Sequence, residues 1–469
     1  MKKMAMAAAT VACVAVAAMA FGQAATQPGA AGPGGRRGGR GFGRGRTPVD
    51  YGPPAETLRK EWIDQDTGHK VFRLSLTNGS GSLYFHYNAY SPDGKWLVFD
   101  SPQGIMEQDL TAVGTKPAEL VAPGARAMET SRVADEVFYV DRQAGAVMAA
   151  DLNDGHKTRE VVKIPQGLQV ACVNCDATLF AGVIGNAPEG ADKAAPPDKI
   201  PAEDQYARMF PGKKPEELTA AQRSSADKEN RLAAQLRQAV EGPPRCLFTL
   251  DVKTGEVKKF GYAHAWLNHL QFSPTDPHML MFCHEGTWHE TDRVWTINVA
   301  DADPKPVLMH KRTMDMEIAG HEWWAADGKS VCFDLQKPRS QKFFIGMVDL
   351  ATMKETDYAV DQNAWGVHYN RSKDGTMFSS DGGDDAQVAF APDGMWMNLF
   401  HVQPDGTLLR EKLVNMKKHN YVTPASGGVN GVEPNGTFSP DGKYVIFTGN
   451  FDGAQHVYAV ETRRTVSKG

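Results

Sequence analysis

Four stretches of this chain turn on Asp-Gly and run straight into a short apolar, β-rich segment. They are Ser91-Pro92-Asp93-Gly94-Lys95-Trp96-Leu97-Val98-Phe99, Ala326-Asp327-Gly328-Lys329-Ser330-Val331-Cys332-Phe333, Lys373-Asp374-Gly375-Thr376-Met377-Phe378 and Ser439-Pro440-Asp441-Gly442-Lys443-Tyr444-Val445-Ile446-Phe447. Asp-Gly between two β-rich runs is a hairpin signal. Weaker copies turning at Asp135, Asp176 and Thr275 bring the number to seven, and second hairpins follow at Asp154-Gly155 and Thr254-Gly255. A unit recurring about every 40 to 50 residues matches four-stranded propeller blades. The predicted fold is all-β, a seven-bladed β-propeller over residues 55–465.

One stretch breaks this rhythm. Residues 186–244 begin rich in Pro, Lys and Asp, continue through good helix formers to Val240, and stop at Pro243-Pro244. The expectation is one or two helices inserted in a blade loop, either an exposed excursion or, on the sharper reading, a lid over one face.

Ahead of the blades, Lys2-Lys3 and an Ala/Val/Met run to Ala20 read as a secretory signal peptide over residues 1–24, too short and alanine-rich for a retained membrane span. Residues 25–54 are rich in Gly, Arg and Pro and read as a disordered linker. The expected location is the periplasm or the exterior. A hydrolase of the prolyl-peptidase type is not expected, since no further domain follows the blades before Gly469.

Residues 1–46 carry seven positive charges and no acid, so the formal net charge of −5 leaves −12 for the rest. Such a domain does not attract nucleic acid through its general field, and an anionic substrate would need a local cation, an arginine or a bound metal. Of six cysteines, Cys13 lies in the leader. The other five have no regular spacing and Cys172-x-x-Cys175 lacks a second pair, so neither a disulfide framework nor a zinc site is expected.

Counting six residues back from each turn marks the start of each blade's innermost strand. Those positions hold Tyr87, Glu129, Val170, His269, His321, His368 and Asn435. Equivalent positions converge on a propeller's axis, and three histidines out of 14 in the chain fall among them. His86 and Glu433 adjoin this ring. A wet channel that binds only water is the bland reading of the same pattern. Two further blocks, Cys283-His284-Glu285-Gly286 and Gly320-His321-Glu322-Trp323-Trp324, set a histidine beside a carboxylate within short apolar strands. Asp384-Asp385 reads as a solvated turn. There is no nucleophile elbow, P-loop or dinucleotide fingerprint.

Taken with Glu61-Trp62-Ile63-Asp64, Thr67-Gly68, Ser82-Leu83-Tyr84-Phe85, Phe282 and Arg293-Val294-Trp295, these two blocks resemble the oligogalacturonate lyase family over about residues 55–460. The resemblance implies a seven-bladed propeller that cleaves short pectic fragments by β-elimination with a divalent metal, commonly manganese. It implies metal ligands at His321 and in a last-blade Gln-x-x-His-Pro-His motif, which here reads Asn430-Gly431-Val432-Glu433-Pro434-Asn435. Oxygen donors of that kind suit a hard ion, Mn2+ or Ca2+. The family's arginine base aligns with Cys246, and Arg245 stands one residue away on the strand, which points it to the other face.

Removing the C5 proton of a uronate needs a cation on the carboxylate and a base on the proton. The expected metal ligands are His321, Glu433, Asn435 and Asn430. His368 or His284 is the expected base, and Arg293 or Arg245 the carboxylate grip. His86, His269, His289, Trp324 and Trp365 are assigned to an anionic oligosaccharide substrate, although the tryptophans fit a core equally well. Two other readings stay open: a lyase or hydrolase on a different uronate glycan, and a non-catalytic, TolB-like periplasmic interaction propeller.

Overall fold

The computed structural model describes residues 53–153, 155–421 and 431–465. The predicted signal peptide, nearly all of the linker, and Asn430 lie outside the described residues. Seven antiparallel sheets follow one another around the molecule. Their innermost strands are Gly81–Ser82, Ala127–Thr130, Val170–Val173, Trp266–Phe272, Ile318–Trp324, Gly366–Arg371 and Thr437–Phe438, which open blades 1 to 7.

The repeated turn is built locally. In blade 1 the Ser91 hydroxyl donates to Asp93 Oδ1 (2.7 Å), the same oxygen accepts the Lys95 amide (2.9 Å), and Gly94 takes φ +74°. The last-blade copy repeats this with Ser439, Asp441 and Lys443 at 2.7 and 3.0 Å. Aspartate satisfies the turn's amides and glycine supplies the left-handed backbone, which explains the recurrence of this pair.

The hydrophobic clusters join neighbouring blades. Leu247 and Phe260 of blade 3 pack with Leu270, Phe282 and Ile297 of blade 4. A sheet covered on both faces reads as a continuous apolar run, and Ser330–Gln336 is buried at all seven positions. The ring closes in blade 7, where Lys70–Arg73 pairs with His456–Glu461 from the other end of the chain. Glu61–Ile63 adds the outermost strand of that five-stranded sheet.

The insertion leaves blade 3 between Leu179–Ile184 and Arg245–Asp251 and holds two α-helices, α1 (Gln205–Met209) and α2 (Ala220–Glu241). Helix α2 starts at a capping box of Thr219 and Gln222 and stops at Gly242. No described helix is long and apolar enough to cross a membrane. All five described cysteines are free, and four of them are buried.

Candidate active site

The innermost strands of blades 4, 5 and 6 carry bulges at Asn268/Gln271, Gly320/Trp323 and Gly366/Tyr369. A bulge sets two residues against one partner and re-aims side chains. His269 (φ +49°) and His321 (φ +47°) adopt left-handed backbone there, as Asn435 (φ +53°) does at the entry to blade 7. Left-handed non-glycine residues are costly, and three of the ten among the described residues hold these positions of the ring.

His321 and His368 stand with ring centroids 5.0 Å apart. His368 Nδ1 lies 2.8 Å from Asp381 Oδ2, so that nitrogen carries the hydrogen and Nε2 is left free, 4.0 Å from Glu433. Burial lowers the pKa of His368, but the Asp381 carboxylate outweighs it and the net shift is upward. Asp381 also accepts the amides of His368 (2.6 Å) and Asn435 (3.0 Å). His321 has no such partner. Burial holds its pKa well below the usual histidine value, so it is a neutral imidazole.

Among the buried polar atoms that lack a hydrogen bond are His321 Nδ1, Asp334 Oδ2 and Asn435 Oδ1. The first two face each other at 3.8 Å. Burial pushes Asp334 up to about 8, while its other oxygen accepts Trp365 Nε1 (2.9 Å). Buried polar atoms are rarely left unpaired, and one imidazole nitrogen with several oxygens is the donor chemistry of a divalent cation such as manganese or calcium. The unpartnered imidazole nitrogen of His321, facing an unpartnered carboxylate oxygen of Asp334, is donor chemistry that fits a divalent metal, and Glu433 lies 4.0 Å from His368 Nε2.

A second set adjoins the first. His269 Nδ1 lies 3.1 Å from Glu322 Oε1, and His269, Cys283 and Glu322 bring three ligand-capable atoms within 4.8 Å of one another. Arg293 is buried behind them and donates to Glu285 Oε1 (2.6 Å), so its charge is already matched. His86 bonds Gln271 (3.1 Å), and burial drops its pKa to about 3. Tyr84 packs edge-on against His86 and His368 at 4.8 and 5.3 Å.

Other expected residues lie elsewhere. His284 points to the insertion, with Nδ1 3.0 Å from Asp198, and stacks on Trp295. His289 is buried beside Arg339 (3.3 Å), and burial holds its pKa at about 4. Arg245 donates to the Ala265 carbonyl. Trp324 and Trp365 are buried, and their Nε1 groups are spent on the Gln271 carbonyl and on Asp334, so neither offers a ring face to a sugar. Asp384 accepts the Ala386 amide (3.0 Å) within its own turn.

Asp334 and Asp381 were not anticipated, yet each sits seven residues after its turn aspartate, as Asp100 does in blade 1. That recurrence was a readable signal. Glu322 stood inside a motif already singled out. Trp288, whose ring lies 4.7 Å from that of His321, had no pattern to mark it.

The insertion covers this face. Arg339 donates to Glu229 of α2 (2.7 Å) and to Ser225 (3.0 Å), the Trp288 amide donates to Glu229 (3.0 Å), and Gln205 donates to Glu290 (2.8 Å).

Comparison with known proteins bears out the resemblance. Residues 238–466 match the sequence model of the family described as oligogalacturonate lyase. The chain is 25% identical to an oligogalacturonate lyase of Dickeya dadantii over 423 residues, 86% of this chain and 96% of that one. It is 27% identical to an oligogalacturonide lyase of Pectobacterium atrosepticum over 231 residues, 48% of this chain and 57% of the relative's length. Among solved structures, an oligogalacturonate lyase in complex with manganese superposes with a TM-score of 0.63 at 21% identity, over 87% of this chain and 97% of that one. An oligogalacturonate lyase from Vibrio parahaemolyticus gives 0.63 at 20% identity, over 86% and 96%. These structures share the propeller fold.

Proposed function

We propose that this propeller is a lyase that cleaves uronate-containing glycans of the pectic, oligogalacturonate type by metal-assisted β-elimination. The observation that carries the reading is the cluster of unpartnered buried donors around His321, at the level where His368 is held by Asp381. The named activity of the Dickeya relative, matched over most of both chains, and the manganese held by a structural neighbour support the same reading.

His321, Glu433 and Asn435 would hold the metal, which when bound supplies positive charge to the substrate carboxylate and so acidifies C5. Neutral His321 has its lone pair available without losing a proton. His368 serves as the base: Asp381 fixes its tautomer, leaves Nε2 facing the site, and stabilises the imidazolium formed when Nε2 takes the C5 proton. The electron pair of that C–H bond becomes the C4–C5 double bond, the C4–O4 bond breaks, and the departing oxygen takes a proton from water. Covering by the insertion limits water at this face. The Lys2-Lys3 leader and its apolar run support export to the periplasm or beyond.

The test follows the ultraviolet absorbance of the unsaturated uronate. The purified protein is offered oligogalacturonate and other uronate glycans, with chelator and with added manganese or calcium. A rise on oligogalacturonate that chelator removes and metal restores is expected. A rise confined to another glycan would move the substrate, and no rise on any uronate would end the lyase reading.

A further inference from the structure

We propose that Lys228 of helix α2 grips a uronate carboxylate of the substrate at the mouth of the channel; this rests on the lyase reading above. The acidic folded part needs a local cation for an anionic substrate, and the arginines near the site are committed. Arg293 is paired with Glu285, Arg339 with Glu229, and Arg245 with a backbone carbonyl.

Lys228 is different. It makes no hydrogen bond or ion pair among the described residues, and its side chain keeps exposed surface. Its ammonium stands over the Trp288 ring at 4.7 Å, and the same ring is 4.7 Å from that of His321. The ammonium thus shares one aromatic platform with the proposed metal histidine and with Arg293, 5.1 Å from the same ring; desolvation lowers its pKa and Arg339 adds to that, while Glu229, Glu433 and Glu285 oppose the shift. A cation resting on an aromatic face is held loosely enough to exchange that contact for a carboxylate, the stronger partner.

The position is also fixed. The next residue, Glu229, is buried and receives both Arg339 and the Trp288 amide, so the turn of helix carrying Lys228 is tied to blades 4 and 5. A lysine on a docked helix is preorganised for binding, unlike one on a swinging loop. The insertion would then supply a substrate contact that the blades themselves do not.

The test compares the wild type with K228M, K228Q and K228R. Binding of trigalacturonate to chelator-treated protein is read by calorimetry, and KM and kcat are read on metal-loaded protein. Losing a charge-assisted contact is expected to raise Kd and KM about 10- to 100-fold in the two neutral variants, with a smaller effect on kcat and most of the loss recovered in K228R. Neutral variants that bind and turn over like an active wild type would overturn the role of Lys228 and leave the lyase reading standing. A wild type that neither binds nor cleaves any uronate oligomer would overturn the lyase reading, and this inference with it.

Discussion

Asp381 serves three groups at once: the His368 ring, the His368 amide and the Asn435 amide. It therefore sets the basicity of one residue and the placement of another. For His368 to accept a proton it must be neutral, and Asp381 raises its pKa, so activity should fall as pH drops through that raised value. Asp381→Asn removes the charge, lowers the pKa of His368 and shifts the acid limb of kcat/KM to lower pH. It should also cost about 10- to 100-fold in rate. An acid limb that does not move would show that His368 is not the base. Neighbouring positions show what spacing alone cannot decide: His321 and Glu322 are adjacent, yet one packs against His368 of blade 6 and the other against His269 of blade 4. A bulge made that division.

At the scale of elements, the insertion is held by buried charge. Arg339 and Glu229 are both nearly inaccessible, and removing one leaves the other buried without its partner. Arg339→Met should destabilise the docked insertion by about 3 to 5 kcal/mol, and a double change with Glu229→Gln should recover part of it. The readout is trypsin cleavage within residues 199–237 under native conditions. Faster cleavage there with an intact propeller is the expected result. Between blades 4 and 5, His310 lies 2.7 Å from Glu355 and 3.2 Å from Glu317. Burial lowers its pKa, but the two carboxylates overcome that and bring it to about 9, while Glu317 falls to about 2. The histidine's contribution to stability is thus complete below about pH 6.5 and is lost as pH rises through about 9. That of Glu317 is present above about pH 4.5 and is lost as pH falls through about 2. His310→Gln should flatten the alkaline decline of Tm, removing a slope of up to about 1.4 kcal/mol per pH unit.

Across the whole molecule, the ring closes by pairing Val71 with Val460 and Phe72 with Ala459, so the last blade is shared between the two ends of the described chain. Seven blades place blades 4 to 7 side by side. Their innermost positions are His269, His321, His368 and Asn435, and this half of the ring holds the proposed chemistry. The opposite half contributes Tyr87, Glu129 and Val170, of which Glu129 is buried and pushed up to about 8 by that burial. The site is one-sided because the polar tips are.

The blades and their number were legible in the local sequence, but the residues six before each turn are not uniformly strand starts as expected: in blades 4 to 6 they are mid-strand bulge positions, and Tyr87 lies beyond its strand. The legible part rests on contacts within a few residues, since the Asp-Gly turn bonds its own amides. The insertion and its helix were also legible, through composition and the Pro243-Pro244 stop. Where side chains point was settled by contacts between distant parts of the chain. His284 found Asp198, 86 residues away in the chain, and left the site. Trp365 turned inward to Asp334, and Lys228 arrived over Trp288 from a different blade's loop. Such pairings depend on bulge direction and on which loops meet across the channel, and neither is encoded at short range.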